Sequence, residues 1–238
     1  MEFRQIIESG FLGIAATGRS GTGGMLLIGL GVLICAAAGY FAGSISPAII
    51  ISKRIFGTDI RELGSGNAGM TNMFRTFGRS AGLLTLAGDF AKTLVSVAAG
   101  YAALGYTGSW VAGLFCVLGH MFPVYYRFRG GKGVLVCGVM LLLTDPLVFL
   151  IVLAVFGTVL VGTRMVSMAS VMSALTMPLF LYGVYAVFFE SGASAGIRMP
   201  IAAVIAFLVV FGHRENIKRI KEGKEPKISI PFLDRKKK

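Results

Sequence analysis

A polar, glycine-rich segment at residues 64–75 has the residue types that bind phosphate, in a chain that is otherwise 55% apolar. Glycines let the backbone approach a ligand and adopt left-handed turns, so that successive N–H groups converge on anionic oxygens. Hydroxyl, amide and guanidinium groups add further donors. The alternative is a surface turn closed by Asn and Thr, a common use of those residues. The density of donors favours phosphate binding, which we predict for Gly64, Ser65, Gly66, Asn67, Gly69, Thr71, Asn72 and Arg75.

A second glycine-rich cluster, at residues 127–133, repeats this chemistry. A Walker A loop is excluded, because that motif needs Ser or Thr directly after its lysine and the chain has Gly133 there. We predict instead a nest of backbone amides at the start of a short helix, where Gly130, Gly131 and Gly133 hold a phosphate beside Lys132. A tight turn between two helices, with basic residues that set topology, is the alternative.

Four ionisable residues lie in or next to apolar runs. His120 is near the end of one run, where a satisfied core histidine and a functional one are both open interpretations. His213 begins the basic tail and could cap the last helix or contact substrate. Asp89 and Lys92 share a helical face, so we predict that they pair in a structural role.

Serines and cysteines also lie within the apolar runs. Ser167, Ser170 and Ser173 recur every third residue, which allows close helix packing, and the first two are near enough to Arg164 to reach a polar site. The 3 cysteines have no spacing typical of a disulfide framework or a zinc site. We predict no metal and no cofactor.

The composition predicts an all-α, polytopic integral membrane protein. The chain has 238 residues, a mean hydropathy of +0.78 and only 14% charged residues. The break at Thr144-Asp145-Pro146 divides one long apolar run, because proline cannot continue a helix. We predict about seven transmembrane helices, the fourth and the last of them short, with five crossings as the alternative count. Their ranges are 25–51, 80–104, 109–126, 133–144, 147–163, 166–189 and 199–212.

The placement of charge predicts the orientation. With seven crossings, most of the 23 Lys and Arg residues fall on the side that holds both glycine-rich loops and the C-terminus. The positive-inside rule therefore places this side in the cytoplasm and the N-terminus outside. We expect an N-terminal extension over 1–24, a membrane domain over 25–213 and a basic cytoplasmic tail over 214–238. The net charge of +12 indicates topology and lipid headgroups as partners, and we expect no nucleic acid.

The ordered motifs resemble the bacterial membrane acyl-phosphate:glycerol-3-phosphate acyltransferases, the PlsY family, from about Gly39 to Pro226. The resemblance implies a seven-helix inner-membrane enzyme with its active site facing the cytoplasm. Its substrates are acyl phosphate and glycerol-3-phosphate, and its products are lysophosphatidic acid and phosphate, for phospholipid biosynthesis. It uses neither coenzyme A nor acyl carrier protein. We expect a monomer.

The resemblance also implies roles for individual residues. Ser65 and Arg75 belong to the first catalytic loop, and Lys132 belongs to the second, phosphate-holding loop with Gly130 and Gly131. Polar roles are implied for His120 and for Ser167 or Ser170. Site-supporting roles are implied for His213, Asn216 and Glu225.

Two other function classes are weighed against this one. A transporter of phosphate or organophosphate also needs anion sites in a helical bundle, but it tends to bind substrate near the midplane on broken helices. Here the polar loops fall on one side, which favours an interfacial enzyme. A scaffold or channel subunit leaves the glycine-rich loops unexplained. The proton acceptor stays open between His120 and the oxygens of acyl phosphate.

Overall fold

The computed structural model describes residues 10–16, 21–188 and 196–229, and this described part is helical without a strand. This confirms the all-α prediction. Parts of the expected N-terminal extension (1–9 and 17–20) and basic tail (230–238) lie outside the described residues, as does residue 189 of the predicted sixth helix. The helices are α1 (10–16), α2 (Thr22–Ser44), α3 (Pro47–Phe56), α4 (Met70–Phe77), α5 (Arg79–Met121), α6 (Val134–Thr144), α7 (Pro146–Thr163), α8 (Val166–Phe188), α9 (Arg198–Gly212) and α10 (Arg214–Lys221).

The chain forms two compact units, residues 1–144 and 145–238. In the first unit, α2 packs along α5 by close backbone contact at small residues. A Cβ atom at Gly39 would overlap the carbonyl oxygen of Ala112, and one at Gly43 would overlap that of Cys116. Gly39 and Gly43 form a G-x-x-x-G pattern, which brings membrane helices close together.

Helix α5 is a helical hairpin. Leu104 (φ −134°, ψ 29°) and Gly105 (φ 57°, ψ −142°) leave the helical region, and the chain reverses there. Lys92 consequently meets His120, 28 residues further along the chain. The reversal agrees with the break predicted between residues 104 and 109. The second arm ends at Met121, before the predicted end at residue 126.

The predicted helix over 25–51 is wrong at its C-terminal end, because the chain breaks between α2 and α3. Ile45 is extended, and Ser46 caps α3 by accepting a hydrogen bond from the backbone N–H of Ile49 at 3.5 Å. Pro47 is the first residue of α3. Proline disfavours a helical residue before it and suits the first helical position, so Pro47 starts a new helix.

Among the described residues, four helical segments are long and apolar enough to cross a membrane, or five if the bent pair α9 and α10 forms one span. The four are Thr22–Phe56, Arg79–Tyr126, Pro146–Thr163 and Val166–Phe188. Helix α6 is apolar but short, as predicted. The predicted break at Asp145 is confirmed, since α6 ends at Thr144 and α7 begins at Pro146.

Two features of the fold position predicted site residues. Beneath the first loop is an apolar cluster from α3, the loop itself, α4 and the start of α5; its buried members are Ala48, Ile49, Ile60, Ala68, Met73 and Ala81. In the second unit, α9 bends by 57° into α10 at His213. Each feature fixes the backbone from which predicted site residues project.

Candidate active site

The side chain of Asn72 holds the first glycine-rich loop in shape. Its Oδ1 accepts a hydrogen bond from the backbone N–H of Ser65 at 3.0 Å. Its Nδ2 donates to three carbonyl oxygens of the loop, those of Ile60 (3.3 Å), Leu63 (3.0 Å) and Asn67 (3.0 Å). The amide of Asn72 is thus engaged by its own loop, and its direct contact with phosphate stays a prediction.

The first loop presents Ser65 and Arg75 to solvent. Gly64 has a φ of 58°, and a Cβ there would overlap Oδ1 of Asn72, so this turn requires glycine. Ser65 and Arg75 are exposed. Gly69 precedes α4, and no side chain caps that helix, so its first amides open onto the loop. The remaining predicted donors, Asn67 and Thr71, are half-buried, and Gly66 is exposed.

An ion pair joins the first loop to the second. The guanidinium of Arg61 donates to both carboxylate oxygens of Asp59, at 3.0 and 2.7 Å. It also donates to the carbonyl oxygens of Tyr126 (2.8 Å) and Arg129 (3.2 Å). Hydrogen bonds from Arg61 hold the pKa of Asp59 well below its usual range, and Lys53 adds a contact at 3.1 Å. We call Asp59 and Arg61 the loop clamp.

The clamping role of Asp59 and Arg61 was not predicted from the sequence. A signal was present, because an Asp two residues before an Arg can bond both its backbone and its side chain. Asp59 does so, since its Oδ1 also accepts the backbone N–H of Arg61 at 3.0 Å. The carbonyl acceptors on the second loop are distant in sequence, and no local pattern indicates them.

The second loop is fixed to the end of α5. The backbone N–H of Gly131 donates to the carbonyl of His120 at 3.0 Å, and that of Gly130 donates to the carbonyl of Met121 at 3.2 Å. A Cβ at Gly131 would overlap Nε2 of His120 and would lie 2.9 Å from the carbonyl oxygen of Ala68. At Gly131, therefore, the two loops and the imidazole of His120 come together.

Lys132 and Gly133 lead from this contact into α6. Lys132 is half-buried, and Gly133 is buried with a φ of 79°. The carbonyl of Gly133 accepts the backbone N–H of Cys137 at 2.8 Å, which begins the helix. As predicted, the glycine-rich loop leads into a short helix. The backbone N–H groups of Gly130 and Gly131 are engaged by carbonyl oxygens of α5, so the predicted phosphate nest at these two residues does not have their amides available in this structure.

Asp89 and Lys92 pair as predicted, and they contact His120. The Nζ atom of Lys92 is 2.8 Å from Oδ1 of Asp89 and 2.9 Å from Nδ1 of His120. Lys92 also donates to the carbonyl oxygens of Gly43 (3.1 Å) and Ile45 (2.9 Å). All three ionisable side chains are buried.

The second unit holds a separate polar cluster around Glu225. Nδ2 of Asn216 donates to one carboxylate oxygen at 2.6 Å, and Nε of Arg219 donates to the other at 2.8 Å. Burial raises the pKa of Glu225, but the hydrogen bonds of Asn216 and Arg219 outweigh it and lower that pKa overall. Glu225 therefore orients the side chain of Asn216 through this hydrogen bond. Its site-supporting role stays a prediction.

His213 and Ser170 lie buried in the same unit. Nδ1 of His213 is 2.7 Å from the carbonyl oxygen of Val209, at the bend between α9 and α10. The hydroxyl of Ser170 donates to the carbonyl of Val166 at 2.8 Å. Both side chains thus have a bond to their own helix.

Comparison with known proteins decides the family. The chain matches the family model described as Glycerol-3-phosphate acyltransferase over residues 33–223, a range that contains both glycine-rich loops. The chain belongs to the glycerol-3-phosphate acyltransferase family. The glycerol-3-phosphate acyltransferase of Geobacter sulfurreducens is 40% identical over 82% of this chain and 97% of its own. That of Bacillus subtilis is 38% identical over 79% of this chain and 93% of its own.

Solved structures support the same family. The crystal structure of PlsY (YgiH), an integral membrane glycerol 3-phosphate acyltransferase, in its glycerol 3-phosphate form matches this chain with a TM-score of 0.73 and 32% identity. The match covers 83% of this chain and 96% of that one. The lysophosphatidic acid form gives a TM-score of 0.69 and 31% identity.

Within the first unit, this acyltransferase brings the first loop, His120 and the second loop together at Gly131. Ser65 and Lys132 lie in those two loops, and Arg75 is on the last turn of α4. The other predicted residues, Ser167, Ser170, His213 and Asn216, are in the second unit, where Asn216 donates a hydrogen bond to Glu225.

Proposed function

We propose that this acyltransferase transfers a fatty acyl group from acyl phosphate to glycerol-3-phosphate. The hydroxyl oxygen of glycerol-3-phosphate attacks the acyl carbonyl carbon, and the bond from that carbon to the phosphate oxygen breaks. The hydroxyl proton ends on the released inorganic phosphate, and the lipid product is lysophosphatidic acid. Acyl phosphate has a good leaving group, so the main task is to align the hydroxyl and to neutralise two phosphates that repel each other.

One observation carries the proposal: two cationic, glycine-rich loops are clamped to each other beside His120. Arg61 joins the loops at Tyr126 and Arg129, and Gly131 joins them at His120 and Ala68. Two phosphate-bearing substrates need two sets of donors close together, and this arrangement provides them. Solved PlsY structures in glycerol 3-phosphate and lysophosphatidic acid forms support these molecules as substrate and product.

The residue roles follow from this arrangement. Ser65, Arg75 and Lys132 hold phosphate groups, and His120 lies beside the reacting groups. For the second unit, we propose substrate contacts by Ser167, Ser170, His213 and Asn216.

The same proposal includes the membrane arrangement. The two arms of α5 and the short α6 add to the longer apolar helices and give seven crossings of the bacterial inner membrane. The N-terminus lies outside, and the loops and the C-terminus lie in the cytoplasm, by the placement of basic residues. The acyl chain of the donor lies between helices, open to the bilayer, and the enzyme works as a monomer.

Release of phosphate from palmitoyl phosphate by the purified protein tests the function. We expect release that depends on glycerol-3-phosphate, with lysophosphatidic acid formed in equal amount. Arg75→Ala should lower the rate by about 100-fold or more, because it removes a charged phosphate donor. The matched control is Arg54→Ala, which changes an exposed arginine of α3. Absence of release from folded protein, or full activity of Arg75→Ala, would count against the assignment.

A further inference from the structure

Lys92 is a buried cation in an apolar helical segment, and its ion pair with Asp89 does not explain it. The side chains of Lys92 and Asp89 are only 4% and 2% exposed. A buried ion pair often contributes no net stability, since the cost of desolvation offsets the attraction. Charged groups at membrane depth are costly and commonly functional. The position of Lys92 therefore points to a role beyond its ion pair.

The contacts of Lys92 include two carbonyl groups at the break between α2 and α3. The carbonyl of Gly43 would accept from residue 47 in a continuous helix, but Pro47 has no N–H. The carbonyl of Ile45 would accept from Ile49, whose N–H bonds Oγ of Ser46 instead. Lys92 donates to both carbonyls, at 3.1 and 2.9 Å. Its ammonium group is thereby fixed to a rigid point of the backbone.

Besides its ion pair with Asp89 and its bonds to the two carbonyls, the ammonium group has His120 as its third hydrogen-bond partner, which assigns the histidine tautomer. An ammonium group has only donors, so Nδ1 of His120, 2.9 Å away, must accept. A neutral imidazole that accepts at Nδ1 carries its hydrogen on Nε2. Nε2 is the atom that faces Gly131 of the second loop. The N–H of the imidazole is thus directed at the place where the loops come together.

We propose that Lys92 is a positioning residue that holds His120 as the Nε2–H tautomer and so presents a hydrogen-bond donor to the loops. The proposal rests on the function proposed above. It makes His120 a donor to a substrate oxygen in the ground state of the enzyme, and it gives the buried ion pair a purpose: Asp89 pairs with the ammonium group that contacts the imidazole.

Nitrogen NMR of histidine-labelled protein in detergent tests the tautomer directly. The chain has only 2 histidines, so His213→Gln assigns the signals. We expect a protonated Nε2 and an unprotonated Nδ1 for His120. In Lys92→Met, the nearest remaining partner of Nδ1 is Oδ1 of Asp89 at 3.5 Å, so the hydrogen should move to Nδ1. Protonation of Nδ1 in the unaltered protein would overturn the proposal.

A double-mutant cycle tests whether Lys92 acts through His120. Lys92→Met should lower kcat by about 10-fold or more, as the loss of a group that fixes a histidine tautomer does. In a His120→Ala background, Lys92→Met should have almost no further effect. Effects that multiply independently would show a merely structural role and would overturn the proposal.

Lys92→Met leaves Asp89 buried without its cation and could prevent folding, so a second variant is needed. Asp89→Leu with Lys92→Met removes both charges, an exchange that proteins often tolerate. We expect this double variant to fold, to show a mixture of His120 tautomers, and to lose about 10-fold or more in kcat. Near-normal kcat would contradict the proposal. An unaltered enzyme without acyl transfer would refute the proposed function alone, since the NMR result does not depend on activity.

Discussion

Gly131 shows at the scale of one residue why the second loop needs glycine. Its backbone is fixed by the carbonyl of His120, and its α-carbon faces both Nε2 of His120 and the carbonyl of Ala68. Any side chain here must displace the imidazole or separate the loops. The requirement is for close approach, because the residues of this loop with a left-handed backbone are Arg127, Phe128 and Gly133, and Gly131 is not among them.

Gly131→Ala should therefore lower kcat/KM for glycerol-3-phosphate by about 100-fold, the effect of displacing reacting groups by about 1 Å. The matched control is Gly157→Ala in α7, where an added Cβ meets nothing within 4 Å. Steady-state kinetics of both variants at saturating palmitoyl phosphate measure the difference. Equal kcat/KM values for the two variants would show that the contact at Gly131 has no part in the reaction.

At the scale of elements, the loop clamp connects the two glycine-rich loops, which are far apart in the sequence. Arg61 donates two side-chain hydrogen bonds across this distance, to the carbonyls of Tyr126 and Arg129. Without it, the second loop keeps its backbone bonds to His120 and Met121 but loses support at residues 126–129. The clamp thus restricts the half of the loop that carries Arg127 and Arg129.

Arg61→Gln should raise the hydrogen exchange rate of residues 126–129 by about 10-fold or more, since each lost bond to a charged group is worth about 1.5–3 kcal/mol. Exchange in the second arm of α5 should stay unchanged. Arg54→Gln, at an exposed position of α3, serves as the control. Unchanged protection of residues 126–129 in Arg61→Gln would mean that the loops hold together without the clamp.

The sequence predicted those elements and residues whose signals are local. Proline marked the break at Asp145, and the spacing of Asp89 and Lys92 predicted their pairing, because both effects act within one or two helical turns. The break at Ile45 was missed, because the apolar run continues through it. A proline such as Pro47 can either start a new helix or kink an existing one, and the sequence did not show which of these occurs here. The roles of Asn72, Arg61 and Lys92 depend on partners brought near by folding, so periodicity could not indicate them.

At the scale of the whole molecule, two carboxylates tie stability to pH. Hydrogen bonds in the folded state lower the pKa of Asp59 and of Glu225 below their ordinary values of 3.8 and 4.5. The folded state therefore binds fewer protons than the unfolded state in the acidic range. The stabilisation is fully present above these ordinary values and is lost as pH falls through the lower values of the folded protein.

Thermal unfolding in detergent should accordingly show a Tm that is level near neutral pH and falls below about pH 4. Asp59→Asn should be less stable than the unaltered protein at pH 7, and the gap should narrow as the pH falls through this range. Glu222→Gln changes an exposed carboxylate and serves as the control for loss of a surface charge. A constant gap for Asp59→Asn would contradict the role of the ionised clamp.

The proposed membrane arrangement can be tested at the first arm of α5, because its two ends must face opposite sides of the membrane. Ser80 lies at the start of this arm beside the basic first loop, and Thr107 lies just after the reversal at Leu104 and Gly105; both are exposed. In a background without the native cysteines, a membrane-impermeant maleimide should label Ser80→Cys only from the cytoplasm and Thr107→Cys only from outside. Labelling of both from one side would make the hairpin re-entrant and reduce the number of crossings. Labelling of each from the side opposite to that expected would place the loops outside, away from a cytoplasmic supply of glycerol-3-phosphate, and would contradict the orientation that the basic residues predict.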